Sequence, residues 1–120
     1  MKIAITATGK DMTGSVDPRF GRAKYFVVVD TDTNESAIHD NAQNLNAAQG
    51  AGIQAAETVG RLGVQAVITG NVGPKAFRTL TAADVKVYLC GQTSVAEALK
   101  KFKAGELKEA TAANVEGHWA

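Results

Sequence analysis

The chain of 120 residues has the length of one domain, and its 45% apolar and 21% charged residues are typical of a globular protein. A formal net charge of +1 gives no overall attraction to nucleic acid or to a membrane surface. The single cysteine, Cys90, excludes an internal disulfide and fits a reducing compartment. No segment resembles a signal peptide or reaches the roughly 20 apolar residues of a membrane helix, so we expect a cytoplasmic protein.

Three strands are predicted in the first third of the chain. They cover residues 2–8, 25–30 and 36–40, and the third pairs back on the second as a hairpin. Residues 9–23 form a loop rich in Gly, Asp, Ser, Thr and Pro, which carries Arg19 and Arg22. Loops of this length inside a compact domain are often functional.

Helices and strands alternate in the rest of the chain. The patterns predict a helix over 47–62, a strand over 64–69, a helix over 74–82, a strand over 85–89 and a helix that begins after Ser94 and ends at Gly105. Pro74 suits the first position of its helix, and Ser94 and Glu97 have the spacing of a capping box. Residues 106–120 show no period and are expected to form a loosely ordered tail.

The predicted order is β-β-β-α-β-α-β-α. A meander followed by two right-handed βαβ crossovers gives a mixed five-stranded sheet flanked by helices. This is an α/β fold of the ribonuclease-H-like kind, in a single domain over residues 1–105.

Three loops are expected at the edge of the sheet where ligands of open α/β folds bind, outside the carboxyl ends of the strands. They are residues 9–23, 70–74 and 90–94. The second and third lead into helix N-termini, where backbone N–H groups and the helix dipole favour an anion. With Arg19 and Arg22 they would form a shallow anion-binding crevice. Glycines after strands are also ordinary loop residues, and that interpretation stays open.

Other chemistries find little support in the sequence. Ribonuclease-H-like nucleases hold divalent metals with clustered carboxylates, one of them on the first strand, but "KIAITAT" contains no acid. No P-loop is present, and His39 and His118 lack zinc spacing. Cys90 ends a buried strand beside the crevice, either as an inert core residue or as a ligand. No nucleophile–base pair is recognisable, so we do not expect an enzyme.

Three segments together resemble the dinitrogenase iron–molybdenum cofactor biosynthesis family. They are "RFGRAKYF", "GAGIQAAETVGRLGVQAVITGNVGPKAF" and "VKVYLCG", and the resemblance extends over about residues 1–105. It implies a ribonuclease-H-like fold and a mostly non-catalytic protein that binds or carries a metal–sulfur cluster. The sequence is compatible with the branch known as the orange protein, which carries a molybdenum–copper sulfide cluster.

The resemblance also implies site residues. The family's Phe-Gly-Arg-Ala element matches residues 20–23, and its glycine- and proline-containing turn matches residues 70–74. Many members have a histidine where this chain has Gln49, so guanidiniums, backbone N–H groups and small side chains are expected to hold the cluster mainly by non-covalent contacts. The complete expected site is Arg19, Phe20, Gly21, Arg22, Ala23, Gly70, Asn71, Val72, Gly73, Pro74, Cys90 and Gly91.

The implied cofactor is a molybdenum–copper sulfide cluster or a related iron–molybdenum–sulfur cluster. The implied partners are proteins of cluster assembly or delivery, with no nucleic acid and no membrane. The alternative function is a protein-interaction module with a vestigial crevice. The presence of Gln49 in place of the family's histidine favours this alternative.

Overall fold

Six strands and three helices make up the part of the chain that the computed structural model describes, residues 1–41 and 50–115. In chain order they are β1 (Lys2–Ala7), β2 (Tyr25–Asp30), β3 (Ser36–Asp40), α1 (Ala51–Arg61), β4 (Ala66–Thr69), α2 (Pro74–Ala82), β5 (Lys86–Leu89), α3 (Val95–Lys103) and β6 (Lys108–Glu109).

All strands belong to one mixed sheet, in the order β3-β2-β1-β4-β5-β6. Strands β1, β2 and β3 form the antiparallel meander expected from the sequence. Strands β1, β4 and β5 run parallel to one another, and β6 is antiparallel to β5. The predicted α/β class is confirmed, and the order of the first five strands is that of the ribonuclease-H-like arrangement. Helix α2 joins neighbouring parallel strands, whereas α1 carries the chain from the edge strand β3 to β4 in the middle of the sheet.

The predicted number of five strands is wrong. The sixth strand, β6, lies in the segment for which no regular structure was expected, and it pairs Lys108 with Leu89 of β5. The next residue, Ala110, donates its N–H to the carbonyl of Val87 at 2.8 Å. A strand of two residues is too short to show an alternating pattern, and backbone groups at the edge of β5 specify it instead.

The helices cover both faces of the sheet, and each face has its own apolar core. Helices α1 and α2 pack on one face through Ala55, Ala56, Val59, Ala76 and Leu80. Helix α3 packs on the other through Val95 and Ala98. A β-carbon at Gly52 would lie 3.0 Å from that of Ala76, so the glycine lets the N-terminal turns of α1 and α2 approach closely.

The helix ends agree in part with the sequence. Pro74 begins α2, and the Ser94 hydroxyl accepts the N–H of Glu97 at 3.1 Å, so the proline start and the serine cap are confirmed. Helix α1 begins at Ala51 after Gly50, whose φ is 77°. Its predicted beginning at residue 47 lies outside the described residues, as do residues 116–120 of the tail.

Candidate functional site

A crevice of about 320 Å³ opens at the carboxyl ends of the parallel strands. The loops after β1, β4 and β5 all contribute to it, as the sequence predicts. Its walls are formed by Val16, Pro18, Gly70, Asn71, Cys90, Gly91 and Gln92. The three loops are therefore brought together at one site.

The loop after β1 lies directly against the loop after β4. The α-carbon of Pro18 is 2.9 Å from where a β-carbon would stand at Gly70. The side-chain amide of Asn71 donates to the carbonyl of Pro18 at 3.0 Å, and the N–H of Phe20 donates to the carbonyl of Asn71 at 3.2 Å. These backbone contacts determine the shape of the crevice between the two loops.

A buried polar cluster supports the same loop from below. The hydroxyl of Thr6, on β1, donates to the carbonyl of Asp17 at 2.7 Å and lies 2.9 Å from the hydroxyl of Thr69, at the end of β4. The N–H of Asp17 returns a bond to the carbonyl of Thr6 at 2.9 Å. The two threonines thus connect the ends of two parallel strands to the beginning of the arginine-containing loop.

The two arginines differ in setting. The Arg19 side chain is 46% exposed, and its Nε lies 3.9 Å from the carboxylate of Asp17, which is itself buried. That carboxylate also accepts the backbone N–H of Arg19 at 3.1 Å. Arg22 is half-buried, and neither arginine is among the residues that line the crevice. Arg19 stands next to the wall, however, because it follows Pro18 and its backbone bridges to Asn71.

Three of the expected site residues have their side chains in the core. Phe20, Ala23 and Val72 are fully buried, and the Phe20 ring packs against that of Phe26 with centroids 5.9 Å apart. Their apolar side chains anchor the loops and do not line the crevice. The resemblance could not distinguish such anchors from ligand contacts, because both occur in the same motif.

The remaining expected residues divide between wall and support. Gly70, Asn71, Cys90 and Gly91 line the crevice. Gly21 is buried, and its carbonyl accepts the side-chain amide of Asn41 at 3.3 Å. Gly73 and Pro74 form the first turn of α2.

Sequence reasoning missed three wall residues, Val16, Pro18 and Gln92. The first two are apolar, and a lone glutamine has no pattern that suggests a site. The side-chain amide of Gln92 donates to the carbonyl of Val16 at 3.1 Å, so it joins the first and third loops. Only the folded chain shows that these residues share one wall.

The N-terminus of α3 does not offer its amides to a ligand. The N–H groups of Val95 and Ala96 donate to the carbonyls of Gly14 and Met12 at 2.8 and 2.9 Å, and that of Glu97 donates to the Ser94 hydroxyl. The prediction that this helix end contributes to an anion site is wrong, because the loop after β1 already occupies it.

The loop segment over α3 is itself held by a carboxylate. Asp11 accepts the hydroxyl of Thr13 at 2.6 Å and the N–H groups of Thr13 and Gly14 at 3.0 Å each. These bonds, led by the Thr13 hydroxyl, lower the pKa of Asp11. The segment is therefore a built turn that presents its carbonyls to α3.

The N-termini of α1 and α2 differ from that of α3. Both begin after a glycine, Gly50 and Gly73, and neither has a side-chain cap or an acid in its first turn. The contact between Gly52 and Ala76 places the two helix ends beside each other. The start of α1 was not among the expected site residues, although it contains the "GAG" of residues 50–52 that belongs to the family resemblance. The amide just before α2, that of Val72, donates to the side-chain oxygen of Asn114 at 2.7 Å.

Cys90 places its thiol at the boundary between core and crevice. The residue is buried, and the thiol donates to the carbonyl of Gly91 at 3.3 Å. Burial raises the pKa of Cys90, and the nearby charge of Lys101 opposes this effect. The thiol therefore stays protonated at neutral pH in this setting, and its role as a ligand stays a prediction.

Metal-binding side chains do not converge within residues 1–41 and 50–115: no three of His, Cys, Asp and Glu are near enough to one another to hold a metal ion. His39 is on β3, opposite Phe26 of β2 and away from the crevice. Gln49 and His118 lie outside the described residues. Over the same part of the chain, no helix is long and apolar enough to span a membrane.

Comparison with protein families gives one match that covers most of the chain. The family described as dinitrogenase iron–molybdenum cofactor matches residues 1–105. The match includes all three crevice loops and ends between α3 and β6.

Individual relatives agree with the family match. The apo form of the orange protein from Desulfovibrio gigas is 43% identical with a TM-score of 0.91, over 95% of this chain and 96% of that one. A putative NifB protein from Thermotoga is 38% identical with a TM-score of 0.84, over 97% and 98% of the two chains. An uncharacterised protein from Methanocaldococcus jannaschii is 31% identical over 91% of each chain.

Proposed function

Because the chain belongs to the dinitrogenase iron–molybdenum cofactor family, we propose that it is a non-catalytic protein that binds and carries an anionic metal–sulfide cluster. The proposed cluster is of the molybdenum–copper or iron–molybdenum type. The proposal rests on the crevice, whose walls come from three loops within the part of the chain that the family match covers. The similarity of the chain to the orange protein supports a cluster of the molybdenum–copper type.

The size and walls of the crevice suit a small inorganic anion. Ligand pockets in proteins usually measure about 300–1,000 Å³, so a cavity of about 320 Å³ lies at the small end of that range. Gly91 exposes its backbone there, because nothing lies within 4 Å of a β-carbon placed at that residue, whereas Pro18 covers the corresponding side of Gly70. Bare backbone lets a compact ligand approach N–H groups closely.

Arg19 supplies the positive charge beside this wall. Its guanidinium is part-exposed and lies at the far limit of an ion pair with Asp17, so it can turn toward an anion next to Pro18 and Asn71. Sulfide ligands of a thiometallate carry the cluster's negative charge and accept charge-assisted N–H bonds. The thiol of Cys90 completes the wall as a soft, polarisable neighbour.

The direct test is the reconstitution of purified apo-protein with tetrathiomolybdate and a copper salt. We expect visible charge-transfer bands that stay with the protein through gel filtration, together with molybdenum, copper and sulfur on elemental analysis. Copper alone and molybdate alone serve as controls for adventitious binding. A protein that stays colourless and metal-free, both after this treatment and when isolated from its host, would rule out the proposal.

A protein-interaction module is the alternative function. The closeness of Asp17 to Arg19 favours it, because an internal carboxylate offsets part of the charge that an anion would need. Proteins of cluster assembly or delivery are the proposed partners in either case. A partner that co-purifies equally with wild-type protein and with a Gly70→Ala variant, in the absence of any bound cluster, would support this alternative.

A further inference from the structure

A strap formed by residues 110–115 crosses from the edge strand β6 to the crevice. It lies beyond residue 105, where the family match ends. Its first residue, Ala110, is buried and bonded to Val87, and its far end reaches the loop after β4 through Asn114. The strap therefore connects the outer edge of the sheet with one wall of the proposed site.

Asn114 makes four hydrogen bonds to three consecutive residues of that loop. Its side-chain oxygen accepts the backbone N–H of Val72 at 2.7 Å, and its backbone N–H donates to the carbonyl of Val72 at 3.1 Å. Its side-chain amide donates to the side-chain oxygen of Asn71 at 3.0 Å and lies 3.4 Å from the carbonyl of Gly70. One residue thus contacts all three residues of 70–72.

Asn71 extends this influence to the arginine-containing loop. While its side-chain oxygen accepts from Asn114, its side-chain amide donates to the carbonyl of Pro18 at 3.0 Å. Its backbone carbonyl accepts the N–H of Phe20 at 3.2 Å. Asn114, Asn71 and the backbone of residues 18–20 form a continuous chain of hydrogen bonds that passes Arg19.

We propose that Asn114 is a positioning residue for the crevice. It fixes the loop after β4 and, through Asn71, the backbone on which Arg19 stands, so it determines how firmly the crevice retains its ligand. Asn114 itself is exposed, and its side chain adds little to the core. The consequence for ligand retention rests on the proposed function, whereas the consequence for loop order concerns the apo-protein alone.

Amide hydrogen exchange of the apo-protein tests the positioning role. In Asn114→Ala we expect exchange of the Val72 and Phe20 amides to be about tenfold faster, because both lose order when the bonds are removed. In Asn114→Asp the carboxylate still accepts from Val72 but cannot donate to Asn71, so only the Phe20 amide should exchange faster. The Thr31 amide, bonded to Met1 at the strand ends opposite the crevice, should be unchanged and serves as a local control. Amides of the inner strand β1 report global unfolding.

Retention of the ligand tests the functional consequence. We expect Asn114→Ala to release the product of tetrathiomolybdate and copper about tenfold faster than wild type. Thr111→Ala, an exposed position in the same strap, is the matched control and should release it at the wild-type rate.

Two results would overturn the inference. One is an unchanged Phe20 amide in both Asn114 variants. The other is unchanged or slower release from Asn114→Ala, when wild type binds the ligand. A wild-type protein that binds no thiomolybdate–copper product would refute the proposed function, and the exchange data would still decide whether Asn114 positions the loop.

Discussion

The α-carbon of Pro18 lies 2.9 Å from the position that a β-carbon would take at Gly70. This is closer than real β-carbons come to another atom, and the neighbour is backbone, which cannot turn aside. The contact joins the loop after β1 to the loop after β4, so the absence of a side chain at residue 70 is a condition for the shape of the crevice.

We expect Gly70→Ala to lower the free energy of unfolding by about 1–3 kcal/mol, because the added methyl group displaces the Pro18 backbone. Ligand retention should fall with it. Gly91→Ala, at another wall position, meets nothing within 4 Å and should change stability by less than about 0.5 kcal/mol. Urea denaturation of both variants measures the difference, and equal stabilities would show that the contact does not constrain the loop.

Thr6→Val should destabilise the protein by about 1–3 kcal/mol, because the carbonyl of Asp17 and the hydroxyl of Thr69 lose a buried partner. The valine has nearly the same shape, so the loss reports the hydrogen bonds. Thr6→Ser keeps the hydroxyl, so it should keep most of the stability that Thr6→Val loses. The measurement is chemical denaturation at one pH, and a Thr6→Val variant as stable as wild type would contradict the role given to this cluster.

Arg19→Gln should weaken binding of the thiomolybdate–copper product about two- to fivefold at low salt, a range typical of exposed charges. The fold itself should be unchanged, because the side chain is 46% exposed. The difference should diminish as salt rises, since exposed charges are screened. Arg61→Gln, at the C-terminal end of α1, is the control. Equal affinities for wild type and Arg19→Gln, measured by titration at two salt concentrations, would remove Arg19 from the site.

Arg22→Gln extends the same titration to the second arginine of the expected site. The family motif implies that Arg22 contacts the ligand, while the structure shows it half-buried and not among the residues that line the crevice. A ligand role predicts weaker binding at unchanged stability. Lower stability at unchanged affinity would make Arg22 a structural residue of the loop.

Cys90 should react slowly with iodoacetamide at neutral pH, because burial raises the pKa of its thiol and the thiolate is the nucleophile. The pH at half-maximal reactivity should lie above the ordinary value of about 8.5. A midpoint at or below that value would contradict the burial effect.

The same shift makes stability depend on pH. The pKa of the Cys90 thiol is higher in the folded protein than in the unfolded chain, so the thiol of the unfolded chain ionises first as the pH rises. The contribution of the neutral thiol to folding stability is therefore complete only below the pKa of the unfolded chain. It diminishes as the pH rises through the alkaline range. Wild type should therefore lose more stability than Cys90→Ala between about pH 7 and pH 10, measured by denaturation at several pH values. If the stabilities of wild type and Cys90→Ala changed equally with pH, the ionisation of Cys90 would not be linked to folding.

Most of the fold follows from local patterns in the sequence. The runs 26–29 and 66–68 are wholly apolar, as expected of strands that are covered on both faces. The start signals at Pro74 and Ser94 act within one helical turn. Strand β6 could not be predicted in this way. It forms because the unpaired N–H and C=O groups along the edge of β5 hydrogen-bond to the segment that follows α3.

The sequence by itself determined five of the six strands, the three helices and the three loops that meet at the strand ends, because hydrophobic period and turn residues act over short distances. Only the tertiary structure decided which loop residues line the crevice. In the folded chain Phe20 and Val72 are buried, and the first amides of α3 donate to the carbonyls of Met12 and Gly14. Asn114 also contacts residues 70–72. Each of these depends on backbone contacts between segments far apart in the chain, and such contacts leave no pattern in the residues that make them.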